Sequence, residues 1–146
     1  MSATNAFETA LLELIFKNTD VANVGDAGGL QNSATAGSFY ISLHTADPGE
    51  TGTQTTSESA YTSYARVAVA RSGAGWTVSG NNASNAAAVT FPACTGGTSS
   101  VTHFGIGSDS SGPGNLFFKG ALGSTLAVSS GITPAFAIGE LDVNAD

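Results

Sequence analysis

His44 and His103 are the only imidazoles in this 146-residue chain, and with its serines and aspartates they are the raw material for general-base or metal chemistry. His44 falls in phase with Tyr40 and Ser42, and His103 with Val101 and Gly105, so each sits on one face of an expected strand. If those strands adjoin, the pair could hold a metal or activate a hydroxyl; otherwise each is a hydrogen-bonded strand residue. The sequence contains neither a G-x-S-x-G elbow nor an H-E-x-x-H helix motif. Asp47 and Glu50 lie in one turn, which is not the facing pair of acids that glycoside hydrolysis uses. Those two and Asp109 read as turn formers rather than calcium ligands. Gly105-x-Gly107 lacks the third glycine and the following helix of a phosphate cradle. Cys94 stands alone, so neither an intrachain disulfide nor a cysteine zinc site is available, and it reads as a buried thiol. Asn82-Ala83-Ser84 is a formal glycosylation sequon, silent without a secretory signal. The expectation is therefore no catalytic residue, no cofactor and no metal.

Five residues suit contact rather than catalysis. Arg66 and Arg71 flank Val67-Ala68-Val69-Ala70 in a chain with only four Lys and Arg. Each is either an exposed strand charge or an inter-subunit anchor to a carboxylate, which the guanidinium fork fits. Trp76 is either a core plug or an interface anchor. Phe7 and Leu11 belong to an apolar helical stripe and complete the candidate interface.

The elements that must position these residues follow from periodicity. Residues 2–17 predict the one helix: Phe7, Leu11, Leu14 and Ile15 share a face, widened by Leu12 and Phe16. Asn5 and Glu8 have capping-box-like spacing, with Ser2 or Thr4 as alternative caps. A helix of this length is marginal alone, so it must pack on its own domain's sheet or on a neighbouring subunit. Residues 18–37 read as loop, either plain surface or an arm that orders against a partner. Strands are expected at 39–44, 64–71, 76–78, 86–91, 101–106, 116–119 and 125–128, with short candidates at 136–138 and 141–143. Eight or so short strands without a second helix predict a mainly β fold, an antiparallel β-sandwich or jelly roll with one N-terminal α-helix. The expected organisation is a helix and extended loop over 1–37, a possible docking arm, followed by a β-sandwich domain over 38–146.

Composition bounds the partners. Only 15 residues are charged, the net charge is −7, and Ala, Gly, Ser and Thr supply 77 positions. A charge-poor surface is poor at keeping monomers apart, so much of it is expected to be covered by protein. Four scattered cations cannot form a phosphate-reading face, which excludes nucleic acid and an anionic membrane as direct partners. No run approaches a membrane span, and the N-terminus has no secretory-signal pattern, so synthesis in a host cytoplasm is expected.

Several phrases, in order, resemble small virion structural proteins of tailed bacteriophages. They are Tyr40-Ile41-Ser42-Leu43-His44-Thr45-Ala46-Asp47-Pro48-Gly49-Glu50 and Tyr64-Ala65-Arg66-Val67-Ala68-Val69, then a Trp-containing strand. Ala87-Ala88-Val89-Thr90-Phe91-Pro92, Val101-Thr102-His103-Phe104-Gly105-Ile106 and Phe117-Phe118-Lys119-Gly120-Ala121-Leu122 follow, so the set covers about residues 38–143. Members are described as tail-fibre-like or as head decoration proteins, and the resemblance implies a non-enzymatic component present on the virion in many copies. The reading it favours is a capsid decoration, or cement, protein on the outer surface of the capsid. It would bind the major capsid protein lattice and copies of itself, as dimer or trimer, and stabilise the shell by mass action. The alternative is a tail fibre or tail-tip component involved in host attachment.

Overall fold

The computed structural model describes residues 2–145. In chain order its elements are α1 (Asn5–Lys17), β1 (Ser38–His44), β2 (Val67–Ala70), β3 (Trp76–Ser79), β4 (Asn82–Asn85), β5 (Val89–Thr90), β6 (Thr98–Gly107), β7 (Leu116–Ser129), β8 (Ala135–Phe136) and β9 (Asp142–Asn144). The strands form sheets ordered β2-β1-β6-β7, β3-β4-β9 and β5-β8. Pairings β1–β6, β3–β4, β4–β9 and β6–β7 are antiparallel. The fold is mostly β with one helix among the described residues, consistent with an antiparallel β-sandwich carrying an N-terminal helix. The chain divides into two compact units: unit 1 runs to Ser38 and adds Ala70–Ala88 and the segment from Phe136 onward, and unit 2 holds Phe39–Val69 and Val89–Ala135.

In unit 1 the helix starts where the Thr4 carbonyl accepts hydrogen bonds from the Phe7 and Glu8 amides at 2.9 and 3.0 Å. Thr4 occupies the cap position without a side-chain cap bond, so the Asn5–Glu8 spacing forms no capping box. At the other end Asn18 takes the left-handed conformation that commonly closes a helix, with φ 58°. The buried stripe is Glu8, Leu12 and Phe16, one position round from the expected Phe7–Leu11–Leu14–Ile15 face. The cause is Trp76 on β3: its ring meets that of Phe16 at a centroid distance of 4.6 Å, and both side chains are fully buried. Burying a ring of this size contributes roughly 3 kcal/mol, which fixes the rotation of the helix. The helix thus packs on the β3–β4 hairpin of its own chain.

Residues 18–37 form no regular element but are braced across their width. Asn18 and Ser33 exchange two hydrogen bonds, the Asn32 amide donates to Asp20, and Val21 bridges Leu30. The polar strand β4 was not expected, since Asn82-Ala83-Ser84-Asn85 has no apolar alternation. Its reason is tertiary. Buried Asn85 donates to the Ala87 and Ala137 carbonyls at 2.8 Å each and accepts from the Leu141 amide at 2.9 Å.

Unit 2 is organised by β1 and β6, where Ile41 faces Ile106 and Leu43 faces Phe104. The expected half-buried β1 is instead buried on both faces, because residues after Thr45 fold back over the polar Ser42–His44 side. On that side Gly105 and Gly107 leave the space. A Cβ on Gly105 would lie 2.8 Å from His44 Nε2, and one on Gly107 would lie 2.2 Å from the Gln54 side chain. The two strands expected at 116–119 and 125–128 are one continuous β7. The Leu122–Thr125 stretch between them, which reads as a turn, is a bulge opposite Thr102.

Candidate functional site

Of the five candidate contact residues, Phe7, Leu11, Arg71 and Trp76 lie in unit 1 and Arg66 in unit 2. Trp76 is 1% exposed and belongs to the core of unit 1. Phe7 is 40% exposed and Leu11 half-buried, leaving part of the expected stripe open on the helix. Arg71 grips the helix C-terminus: its guanidinium donates to the carbonyls of Leu14 at 2.8 Å, Ile15 at 2.6 Å and Ala36 at 3.0 Å. A cation at that end also complements the helix dipole. Arg66 lies in unit 2, just before β2, and is not an exposed strand charge. It holds Glu58 through Nε and Nη2 at 2.7 and 2.8 Å, and its side chain is 2% exposed.

Around Arg66 unit 2 builds a polar cluster that motif reading did not find. Arg66 also donates to the carbonyls of Asp109 and Gly112, which ties down the β6–β7 connection. Glu58 accepts from the Tyr64 hydroxyl at 2.9 Å, and that hydroxyl in turn accepts from the Leu43 amide at 3.0 Å. Buried Gln54 joins the same connection: its Oε1 accepts from the Asp109 amide and its main-chain N–H donates to the Pro113 carbonyl. The hydrogen bonds that Arg66 donates to Glu58, with the charge of that carboxylate, hold the Arg66 pKa above the usual guanidinium value, and burial pushes the Tyr64 phenol upward. The signals available in the sequence were Ser42 and His44 in phase and the paired glycines of β6, which mark space for buried polar side chains.

His44 and His103 do adjoin, as register partners of β1 and β6. They do not act as a pair. Both His44 ring nitrogens are engaged: Nδ1 donates to the Thr56 carbonyl and Nε2 accepts from the Ser42 hydroxyl, each at 2.8 Å. Burial pushes the imidazole pKa below its ordinary range, which favours this neutral form. Ser42 and His44 have the spacing of a nucleophile and base, but both are 0% exposed and a carbonyl stands where a triad has a carboxylate. A substrate has no route to that hydroxyl. His103 is half-buried and meets the Thr102 hydroxyl at 2.9 Å. Among the described residues no group of three or more His, Cys, Asp or Glu is placed to hold a metal ion. Cys94 is buried with its thiol directed to the Gly96 carbonyl.

At the surface of unit 2, Lys119 on β7 bridges Asp47 at 3.0 Å and Glu50 at 3.1 Å. The Gly49 amide and Lys119 hold the Asp47 carboxyl below its usual range. The two acids therefore secure their turn to the sheet, as turn formers, and are not arranged around a scissile bond. What the geometry builds is a well-braced scaffold whose polar interior fixes its loops, with small uncharged residues outside. No curated protein matches the chain. Residues 2–144, nearly its whole length, match the family described as podophage GP4 fiber I protein gp80, and the chain belongs to that family of phage structural proteins.

Proposed function

We propose that this protein is a non-enzymatic component of a podophage fibre, with a part in host attachment. The observation that carries the reading is the family match over residues 2–144, whose description names a fibre protein. It favours the alternative of the sequence reading over capsid cement. The polar interior supports the same reading: Arg66, Gln54 and Glu58 fix the 45–58 and 108–115 loops in place, as a recognition scaffold needs, and the Ser42–His44 pair is sealed from substrate.

The test is the position and copy number of the protein on intact particles, read by gold-labelled antibody or by density in particle reconstructions. Label confined to fibres, in a small number of copies per particle, is the expected outcome. Label spread over the whole head lattice would overturn it and restore the cement reading.

A further inference from the structure

On the Ser42–His44 side of unit 2, the 45–58 segment is clamped by charge near both of its ends. Asp47 and Glu50 meet Lys119 at 3.0 and 3.1 Å, and Glu58 meets Arg66 at 2.7 Å. Between the clamps the segment is tied down through Thr56 and Gln54. The Thr56 carbonyl accepts from His44 Nδ1 at 2.8 Å, and buried Gln54 fills the space over Gly107 while accepting from the Asp109 amide at 2.9 Å. Internal bonds let this stretch move as one piece: the Thr56 amide donates to the Thr53 carbonyl and the Thr53 amide to the Thr56 hydroxyl, both at 3.0 Å. Ser57 closes it in the left-handed region with φ 54°, a conformation that costs a serine energy.

We propose that residues 51–57 form a lid that neutral His44 latches and acid lifts. The Thr56 carbonyl can only accept, so Nδ1 carries the ring proton and Nε2 takes the hydrogen bond of the Ser42 hydroxyl. A charged ring donates from both nitrogens and turns the Ser42 proton away. The site is closed around that proton: a Cβ on Gly105 would lie 2.7 Å from Ser42 Oγ and 2.6 Å from Leu116, and Ser42 and His44 are both 0% exposed. Nor is the new charge compensated. The titratable groups around the ring are Glu58, Arg66, Tyr64 and His103, and Arg66 already neutralises Glu58 while Tyr64 donates to it. Lifting residues 51–57 gives the imidazolium water. It also withdraws Gln54 from Gly107 and releases the Asp109 amide, so the 108–115 connection loosens with the lid. The clamps at Asp47, Glu50 and Glu58 stay ionised down to the carboxylate range, about pH 4. The lid therefore opens while tethered at both ends and reseals on neutralisation. The inference goes beyond the fibre reading, and its test reads the purified chain alone.

The experiment is amide hydrogen exchange of the full chain from about pH 7.5 to about pH 5, corrected for the intrinsic pH dependence of exchange. The Gln54 and Asp109 amides should exchange faster than the β1–β6 amides at every pH, because the lid opens without global unfolding. Their protection should fall about tenfold per pH unit below about 6.5, then level. His44→Gln should remove that fall, since a glutamine amide can donate to Thr56 and accept from Ser42 without titrating. The wild-type ring gives an independent readout: protection should level at the pH where the His44 ring resonances titrate. Gln54 and Asp109 amides that exchange together with β1–β6 would show that only global unfolding uncovers His44, and would overturn the lid. A flat profile, a fall that persists in His44→Gln, or levelling that follows the His103 ring instead would overturn the latch.

Discussion

The hydrogen bonds of His44 determine which of its protonation states the fold accepts. With Nδ1 donating to Thr56 and Nε2 accepting from Ser42, a second ring proton would displace the Ser42 hydroxyl inside a fully buried space. Its pKa in the fold therefore lies below that of the unfolded chain, chiefly through burial, against the opposing pull of the Thr56 carbonyl. The sign of the linkage follows. Above the ordinary histidine pKa of about 6.5 neither state binds the proton, and the fold keeps its full stability. As pH falls through that value the unfolded chain takes up a proton that the fold refuses, so stability drops until the folded pKa is reached, and then levels. Asp47 acts in a lower window, since a depressed carboxylate pKa contributes stability that is lost only as pH falls through the carboxylate range. Urea unfolding of the wild type should show a decline beginning near pH 6.5, and His44→Gln should remove that decline while keeping the carboxylate one. Parallel pH profiles for the two proteins would show that His44 is not the titrating group.

At the scale of elements, the helix shows how far a sequence pattern reaches. Its existence was legible from the spacing of Phe7, Leu11, Leu12, Leu14, Ile15 and Phe16, but that spacing spreads apolar groups over too much of the cylinder to select one buried line. The partner selects it: Trp76 receives Phe16, and Arg71 ties down the carbonyls of Leu14 and Ile15. Phe16→Ala should therefore cost about 3–5 kcal/mol, while Phe7→Ala at a 40% exposed position should cost well under about 1 kcal/mol. Equal losses in urea titrations would place the buried face where the sequence alone put it. The same contrast explains the other elements. The β1 and β6 strands were legible because Ile41, Leu43, Phe104 and Ile106 alternate. The β4 strand was not, because its buried Asn85 is stabilised by carbonyls and an amide from distant residues. The polar cluster was hidden for a related reason: Gln54, Glu58 and Arg66 carry no motif spacing, and only the fold-back over Gly105 and Gly107 brings them together. A docking role for the open part of the helix is better examined with Phe7→Ser and Leu11→Ser than by removing residues 1–37, since that deletion would also strip Phe16 from Trp76.

For the molecule as a whole, the scarcity of charge has a consequence for any partner. The chain has four cations against eleven acids. Lys17 pairs with Glu13 at 2.9 Å, Arg66 with Glu58 at 2.7 Å, and Lys119 with Asp47 and Glu50. Arg71 is committed to three carbonyls. Each cation is thus engaged within its own unit, and none stands ready for phosphate, sulfate or carboxylate groups on a host surface or another virion protein. Recognition has to proceed through hydroxyls, amides, main-chain groups and the few exposed apolar side chains, contacts that do not release counterions. Surfaces that read phosphates lose orders of magnitude in affinity as salt rises, and exposed charge pairs are largely screened beyond about 10 Å at about 0.1 M salt. Attachment of labelled protein to host cells, measured between about 0.05 and about 0.5 M salt, should change by no more than roughly twofold, and any change should strengthen it, because screening relieves the repulsion between a chain of charge −7 and an anionic envelope. A steep loss of binding with salt would mean that carboxylates outside these ion pairs, such as Asp20, Asp26 or Asp142, meet a cationic receptor, and the small uncharged surface would then be a background to the contact rather than its substance.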